Sequence, residues 1–450
     1  MKFTDLNRHG GIGANCTLLE IGPFRIAIDS GLHPKYAGLD STPSHDFLER
    51  NSLDFIVLTH CHLDHLGSLP LLSREHPDAP VLLSYASSIL ARRMLANSIS
   101  VMRRQRNDLN LPELPLYGRG DLSSLYDRMK PLAIQTPLEV EKEGQVLKVT
   151  FHHAGHVAGA VSVAFETKKE KIFFTGDMLF NEQRTLDGAE VPAGKFDVLI
   201  TETTRGGTAR DPARTREAEI VSLLQGIKKT LDRGGSVLIP VFALGRMQEM
   251  LFILDEAFRK KAFPQVPVFC SGLGMDLVNH FHEISKNTNR LRFNRRVLRS
   301  MGARPLPRKI EPGRTPPMKG IFLVSSGMLV EHTPSYILAS GLLRDDRNAI
   351  FFVGYCDPDT PGGKLLNTPQ GEDFDFEVVD CIEPKQAQVR QFDLSGHADR
   401  EELLAYARKL SPKSIFLHHG DPDARAWFSQ SLSDTGANII DPEPLQTYET

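Results

Sequence analysis

The segment Thr59-His60-Cys61-His62-Leu63-Asp64-His65 places four nitrogen and oxygen donors within six residues. It follows an apolar run at 55–58 that reads as a strand. Alternate side chains of an extended chain share a face, so His60 and His62 point the same way and Cys61 points away. Asp64 and His65 stand where the chain turns into a helix. Imidazole and carboxylate suit zinc, and donors this dense can serve two adjacent divalent ions. Cys61 reads as a packing residue.

More donors recur after other β-rich runs. His156 closes His152-His153-Ala154-Gly155-His156, Asp177 closes Thr175-Gly176-Asp177, and His419 stands in His418-His419-Gly420-Asp421. Each follows the carboxyl end of an expected strand. One edge of a sheet is therefore expected to carry them all, the place where α/β folds usually build sites. The neighbouring glycines let the backbone turn sharply and approach closely.

The elements that must position these donors are legible as periodicity. Strands are expected at 24–28, 55–58, 146–151, 161–165, 172–174 and 198–200, with a helix around 87–98. After Glu202 the texture changes. Helices at 215–231, 246–258 and near 276–284 alternate with strands at 237–241, 266–270, 321–324 and 349–353. That is the pattern of a parallel, doubly wound unit. The proline-rich, basic stretch 304–317 reads as a surface loop. A strand at 388–392, a helix near 400–410, a strand at 415–417 and a helix near 424–432 complete the chain.

Composition bounds the reading. The chain has 450 residues, a formal net charge of −3, 40% hydrophobic and 24% charged residues. This is globular composition at a length that favours two domains, or one with an insertion. No apolar run approaches the roughly 18 residues of a membrane span. The polar N-terminus lacks the apolar core of a signal peptide, so the expected location is cytoplasmic. The five scattered cysteines form no Cys-x-x-Cys pair, which argues against a disulfide framework or a thiolate zinc knuckle. Arg103-Arg104-Gln105-Arg106 and the arginines from 290 to 299 are either solvated helix faces or local nucleic-acid contacts.

The histidine and aspartate motifs together resemble the metallo-β-lactamase superfamily. The resemblance implies that His60, His62 and His156 hold one zinc, that Asp64, His65 and His419 hold a second, and that Asp177 bridges them. Asp29, in Ile28-Asp29-Ser30-Gly31, would orient a ligand imidazole. Glu202 in Thr201-Glu202-Thr203, His397 in Ser395-Gly396-His397-Ala398-Asp399, His419, Ile239-Pro240-Val241 through Arg246, and Ser325-Ser326-Gly327-Met328 also resemble the β-CASP nuclease subgroup. Within it the likeness is to pre-mRNA 3′-end cleavage nucleases and their prokaryotic relatives.

The implied fold is α/β: a metallo-β-lactamase αββα sandwich with an inserted parallel α/β β-CASP domain. Its expected boundaries are 1–205 for the first part of the sandwich, 206–384 for the insertion and 385–450 for the returning segment. The implied function is a two-zinc ribonuclease acting as endonuclease, 5′-3′ exonuclease or both, and leaving 5′-phosphate and 3′-hydroxyl ends. His397 is the candidate general acid, Glu202 its partner, and Asp64 a catalytic metal ligand. Ser325, Ser326, Gly327 and Ser395 are candidate phosphate contacts. The expected partner is RNA, single-stranded by preference, with no membrane; homo-oligomerisation is left open. The alternatives are a DNA nuclease of the same subgroup and a small-molecule hydrolase such as a thioesterase or lactamase. Histidine at 419, where the subgroup's DNA-repair members usually carry valine, favours RNA. The sequence departs from the subgroup at Thr203-Thr204-Arg205-Gly206-Gly207 and in the acidic stretch Asp357-Pro358-Asp359.

Overall fold

A computed structural model describes residues 1–307 and 309–450. The chain divides into two compact units. The first holds Met1–Glu182, Gly188–Arg210 and His397–Thr450, and the second holds Gln183–Asp187 and Asp211–Gly396.

The first unit contains two seven-stranded sheets. One runs in the order Thr447–Glu449, Lys2–Asp5, Thr17–Ile21, Phe24–Ile28, Phe55–Val57, Val81–Ser84, Met129–Leu132. The other runs Asn438–Ile440, Ser414–His418, Val198–Glu202, Lys171–Phe174, Val161–Glu166, Gln145–His153, Leu138–Lys142. Their strands alternate strictly in what they face, as period-two side chains must. Val198, Ile200, Ile172, Phe174 and Phe416 join Phe3, Phe24 and Phe55 in one buried cluster between the sheets. The Phe3 and Phe416 rings stack there at 4.7 Å. The intervening Phe173, Leu199, Ile415 and Leu417 turn outward instead, against Leu403, Tyr406 and Phe428 of the helices Arg400–Leu410 and Pro422–Leu432. On the first sheet the helices Leu69–Glu75, Tyr85–Asp108 and Arg119–Arg128 supply the other outer layer, giving an αββα sandwich.

The second unit is a six-stranded sheet, in the order Arg304–Pro305, Val268–Cys270, Ile321–Val324, Val237–Pro240, Ala349–Phe352, Gln388–Gln391. Every pairing in it is parallel. Its central strands are buried throughout, as strands covered on both faces must be. The helix Arg216–Asp232 begins where expected because Thr215 caps it, accepting from the Ala218 amide.

Several expectations need correction. The site loops do not leave one sheet edge; they leave both sheets of the sandwich, because the chain crosses between layers. The helix expected at 87–98 runs from Tyr85 to Asp108, since its polar arginine-rich second half still buries Ile99 and Met102. The loop expected at 304–317 starts as a short strand paired with Val268–Cys270; residue 308 lies outside the described residues. The strand Gln388–Gln391 was expected in the returning segment that begins at 385. It pairs instead with Ala349–Phe352, so the second unit extends to Gly396. Backbone pairing across a sheet outweighs order along the chain.

Candidate metal centre

Every metal-site candidate named from the sequence belongs to the first unit. The strand Phe55–Val57 delivers Thr59 and His60, and the one-turn helix Leu63–Leu66 presents Asp64 and His65 with His62 at its N-cap. The loop after Gln145–His153 carries His156, the loop after Lys171–Phe174 carries Asp177, and His419 follows Ser414–His418. Gly31 shows how tightly the elements meet: a Cβ there would lie 1.7 Å from the Asp64 carbonyl oxygen.

Donor atoms of His60, His62 and His156 lie within 4.8 Å of one another, and so do those of Asp64, His65 and His419. The His62 Nδ1 lies 3.2 Å from His60 Nε2 and 3.0 Å from His156 Nε2. Three ligands around one tetrahedral zinc, each about 2.0–2.1 Å from it, would stand roughly 3.3 Å apart. Asp177 lies between the two groups. Its Oδ2 is 3.6 Å from His60 and 3.3 Å from His65, and its Oδ1 is 3.3 Å from the His419 Nδ1. That Oδ1 is buried without a hydrogen bond. Converging ring nitrogens and an unsatisfied carboxylate oxygen fit divalent cations better than they fit one another.

Around the donors stand groups that aim them. Asp29 accepts from the Thr59 amide and hydroxyl, both at 2.7 Å, and pairs with His65 Nδ1 at 2.7 Å, leaving Nε2 to the site. It does so in left-handed backbone, φ +61°, a region Asp tolerates better than most residues. Thr59, Thr204 and Asn15 were not singled out from the sequence. The Thr59 hydroxyl meets His60 Nδ1 at 3.1 Å, the Thr204 hydroxyl meets His419 Nδ1 at 2.8 Å, and Asn15 Nδ2 lies 3.2 Å from His65 Nε2. Short polar residues beside a ligand motif were their only signal. Cys61 is fully buried, with its thiol directed at the Ser87 carbonyl and pushed up to about 12 by burial; it packs and does not ligate.

The electrostatics follow from burial of charge beside charge. Burial alone would raise the pKa of Asp64, but His65 and His419 outweigh it and hold the group as a carboxylate. Asp177 is held the same way by His419 and His65. Burial drives His60 well below its ordinary value, keeping the ring neutral. His397 is the reverse. Burial opposes its proton, yet Glu202, 2.9 Å from Nδ1, raises the pKa. Glu202 is itself anchored, its Oε1 accepting from the Met178 amide at 2.6 Å and its Oε2 from the Thr204 hydroxyl at 2.6 Å. The His397 ring lies 4.5 Å from the His156 ring.

The remaining candidates belong to the second unit. Ser325, Ser326 and Gly327 follow the strand Ile321–Val324. The Ser326 hydroxyl accepts from the Val330 amide at 2.8 Å, so part of this turn is closed on itself. The Ser395 carbonyl accepts from Arg216 at 2.8 Å.

Three family models match: the metallo-beta-lactamase superfamily over residues 9–223, the Beta-Casp domain over 247–365, and the Zn-dependent metallo-hydrolase RNA specificity domain over 383–442. Among curated relatives, Endoribonuclease YSH1 of Saccharomyces cerevisiae is 28% identical, over 97% of this chain and 57% of its own length. Cleavage and polyadenylation specificity factor 73 of Drosophila melanogaster is 29% identical over 97% and 63%. Integrator complex subunit 11 homolog of Dictyostelium discoideum is 25% identical over 98% and 60%. The chain thus spans little more than half the length of the relatives it matches. A solved protein of unknown function from Enterococcus faecalis V583 aligns over 99% of both chains with a TM-score of 0.54 at 14% identity, a likeness of fold alone. The superfamily implies a divalent metal, for which the His and Asp groups described above are at hand. With the superfamily model on the first part of the sandwich and the Beta-Casp model within the inserted unit, the chain belongs to the metallo-β-lactamase superfamily, in its β-CASP subgroup.

Proposed function

We propose that this chain is a zinc-dependent ribonuclease, hydrolysing RNA phosphodiester bonds to 5′-phosphate and 3′-hydroxyl ends. The observation that carries the proposal is the Glu202–His397 pair standing beside the two donor groups. A hydrolase of activated esters has no need of a held acid; a ribose 3′-oxygen leaves poorly until protonated. The relatives named as endoribonucleases point the same way.

His60, His62 and His156 would hold one zinc, Asp64, His65 and His419 the other, with Asp177 shared. Two such ions supply an acidified water and neutralise charge on the phosphoryl oxygens. The protein's own groups do the rest. Asp29 fixes the tautomer of His65, and Thr204 steadies His419 and Glu202 together. Glu202 occupies His397 Nδ1, so the proton available for the leaving oxygen sits on Nε2. Ser325, Ser326, Gly327 and Ser395 remain candidates for phosphate contacts.

The test uses zinc-loaded protein and 5′-labelled single-stranded RNA beside DNA of the same sequence. Internal RNA fragments, absent in Asp64→Ala and His397→Ala, support an endoribonuclease; released mononucleotides support a 5′ exonuclease. Preferential cutting of DNA replaces the substrate class. If a thioester or lactone is hydrolysed and neither nucleic acid is cut, the nuclease reading falls.

A further inference from the structure

In the first unit a glycine-rich loop, Arg8-His9-Gly10-Gly11-Ile12-Gly13-Ala14-Asn15, runs beside the metal centre with no part yet assigned to it. Its end is tied to the ligands. The Asn15 amide donates to the Asp64 carbonyl at 2.8 Å, and its side-chain nitrogen reaches both that carbonyl and His65. The Asn15 Oδ1 is buried without a hydrogen-bond partner.

Two observations about this loop point to one kind of ligand. The first concerns its amides. The consecutive N–H groups of Gly11, Ile12, Gly13 and Ala14 meet no acceptor among the described residues, although Gly13 and Ala14 are buried. Gly11, Gly13 and Ala14 hold left-handed φ values of +69°, +118° and +47°. Gly13 has no room for a side chain either, because a Cβ would lie 2.7 Å from Pro34 and 2.8 Å from the His33 ring. Buried amides are seldom left without an acceptor, and consecutive donors of this kind are suited to phosphate oxygens.

The second is an aromatic stack on the same loop. The rings of His9 and Tyr36 stack at 3.9 Å with 18° between their planes, and His33 meets Tyr36 at 4.6 Å. The His9 ring is held by the Asp40 carbonyl at 2.8 Å. Tyr36 is 46% exposed, a large ring oriented by its neighbours yet open to solvent. A pre-ordered, exposed aromatic stack is a platform for a flat partner, and nucleobases stack on such rings with little regard to sequence. His33 is only two residues from Gly31, which packs on the Asp64 backbone. By chain length the His33 Cα therefore lies within roughly 7 Å of the Gly31 Cα, and Tyr36 follows three residues later. Asp421, whose carboxylate oxygen lies 3.0 Å from the place of a Cβ on Gly11, is an acceptor suited to a sugar hydroxyl and unsuited to phosphate.

We propose that the loop 8–15 with His33 and Tyr36 is a nucleotide subsite beside the metal centre: the amides of residues 11–14 receive a phosphate and the His9–Tyr36 stack receives a base. This rests on the ribonuclease reading and deepens it. It locates a source of affinity for nucleic acid that the metal ligands cannot provide.

The test measures binding of fluorescent single-stranded RNA to the metal-free full chain, where nothing is cut. One further ligand and three variants run beside it: the same RNA made abasic, and Tyr36→Ala, Tyr36→Phe and His9→Ala. Stacking of one base predicts an affinity loss of about ten- to hundred-fold in Tyr36→Ala, with recovery in Tyr36→Phe. The abasic RNA should lose a similar factor against wild type and little more against Tyr36→Ala. Wild-type affinity in both alanine variants, or equal discrimination against abasic RNA with and without Tyr36, overturns the subsite. So does an unfolded Tyr36→Ala if His9→Ala folds and binds as wild type does. A zinc-loaded wild type that hydrolyses methyl p-nitrophenyl phosphate but cuts no RNA overturns the ribonuclease reading instead.

Discussion

Each unit buries a cluster of charge, and the two clusters are built to opposite ends. In the second unit Glu249 is fully buried and receives Arg246 and Arg216 together, Arg216 at 2.6 and 2.8 Å, with the Arg184 amide at 3.2 Å. Cations close on the anion, and Arg216 also donates to the Ser395 carbonyl at 2.8 Å. In the first unit Asp64 and Asp177 face the rings of His60, His65, His156 and His419, and neither carboxylate is enclosed in this way. Nitrogens point at nitrogens, and one Asp177 oxygen has no donor. A closed ion cluster holds a fold together; an open one is unfinished without a cation or a substrate. Burial of charge is common to both, so the geometry of the partners is what separates structure from chemistry.

The comparison can be broken most forcefully at His397. His397→Ala should lower kcat on RNA by about 10²–10⁴-fold, the usual worth of a positioned acid, while the melting temperature stays near wild type. The loss should shrink on an ester with a p-nitrophenolate leaving group, which departs without a proton. An equal loss on both substrates in steady-state kinetics would remove His397 from that role.

Glu249→Ala should do the converse. Removing the carboxylate leaves two guanidinium groups buried without their anion, a cost of about 3–5 kcal/mol. Denaturant unfolding should register that loss, with metal content per folded chain unchanged. If Glu249→Ala is as stable as wild type, the closed-cluster account fails.

A third test asks whether every buried histidine of the first unit belongs to the open cluster. His45 bonds the Ser30 hydroxyl at 2.9 Å, and burial pushes its pKa down from 6.5 to about 4. The folded state therefore disfavours its proton while the unfolded chain takes it readily. Its contribution is complete above pH 6.5 and is lost as pH falls toward 4, a swing of about 3 kcal/mol. His45→Gln should flatten that part of the stability profile. An unaltered acid limb would show that other groups dominate it.

The smallest expected effect sharpens the boundary of the open cluster. Asp29→Asn keeps the shape but weakens the hold on His65, and metal affinity should fall about 10–100-fold by chelator competition. Unchanged affinity would show that His65 needs no such support.

What could be read along the chain was local. The donors of 60–65 are dense because one strand end and one helical turn supply them, and both are short-range features of sequence. The parallel second unit was likewise visible as periodicity, as in Val237–Pro240, whereas the αββα order came only with the family resemblance. The mistaken single sheet edge shows the limit. His60 and His156 come from different sheets, and alternation within a strand carries no information about which layer the strand joins.

The amino-acid sequence by itself thus determined the candidate ligand types, the strand and helix periods and the family. Tertiary structure alone decided that Gln388–Gln391 pairs with Ala349–Phe352. It alone turned Thr59, Thr204 and Asn15 onto ligand rings and stacked His9 on Tyr36. The reason is physical. Propensity and spacing act over a few residues, whereas the partner of a buried polar group is chosen by whichever distant backbone the packed core brings within 3 Å.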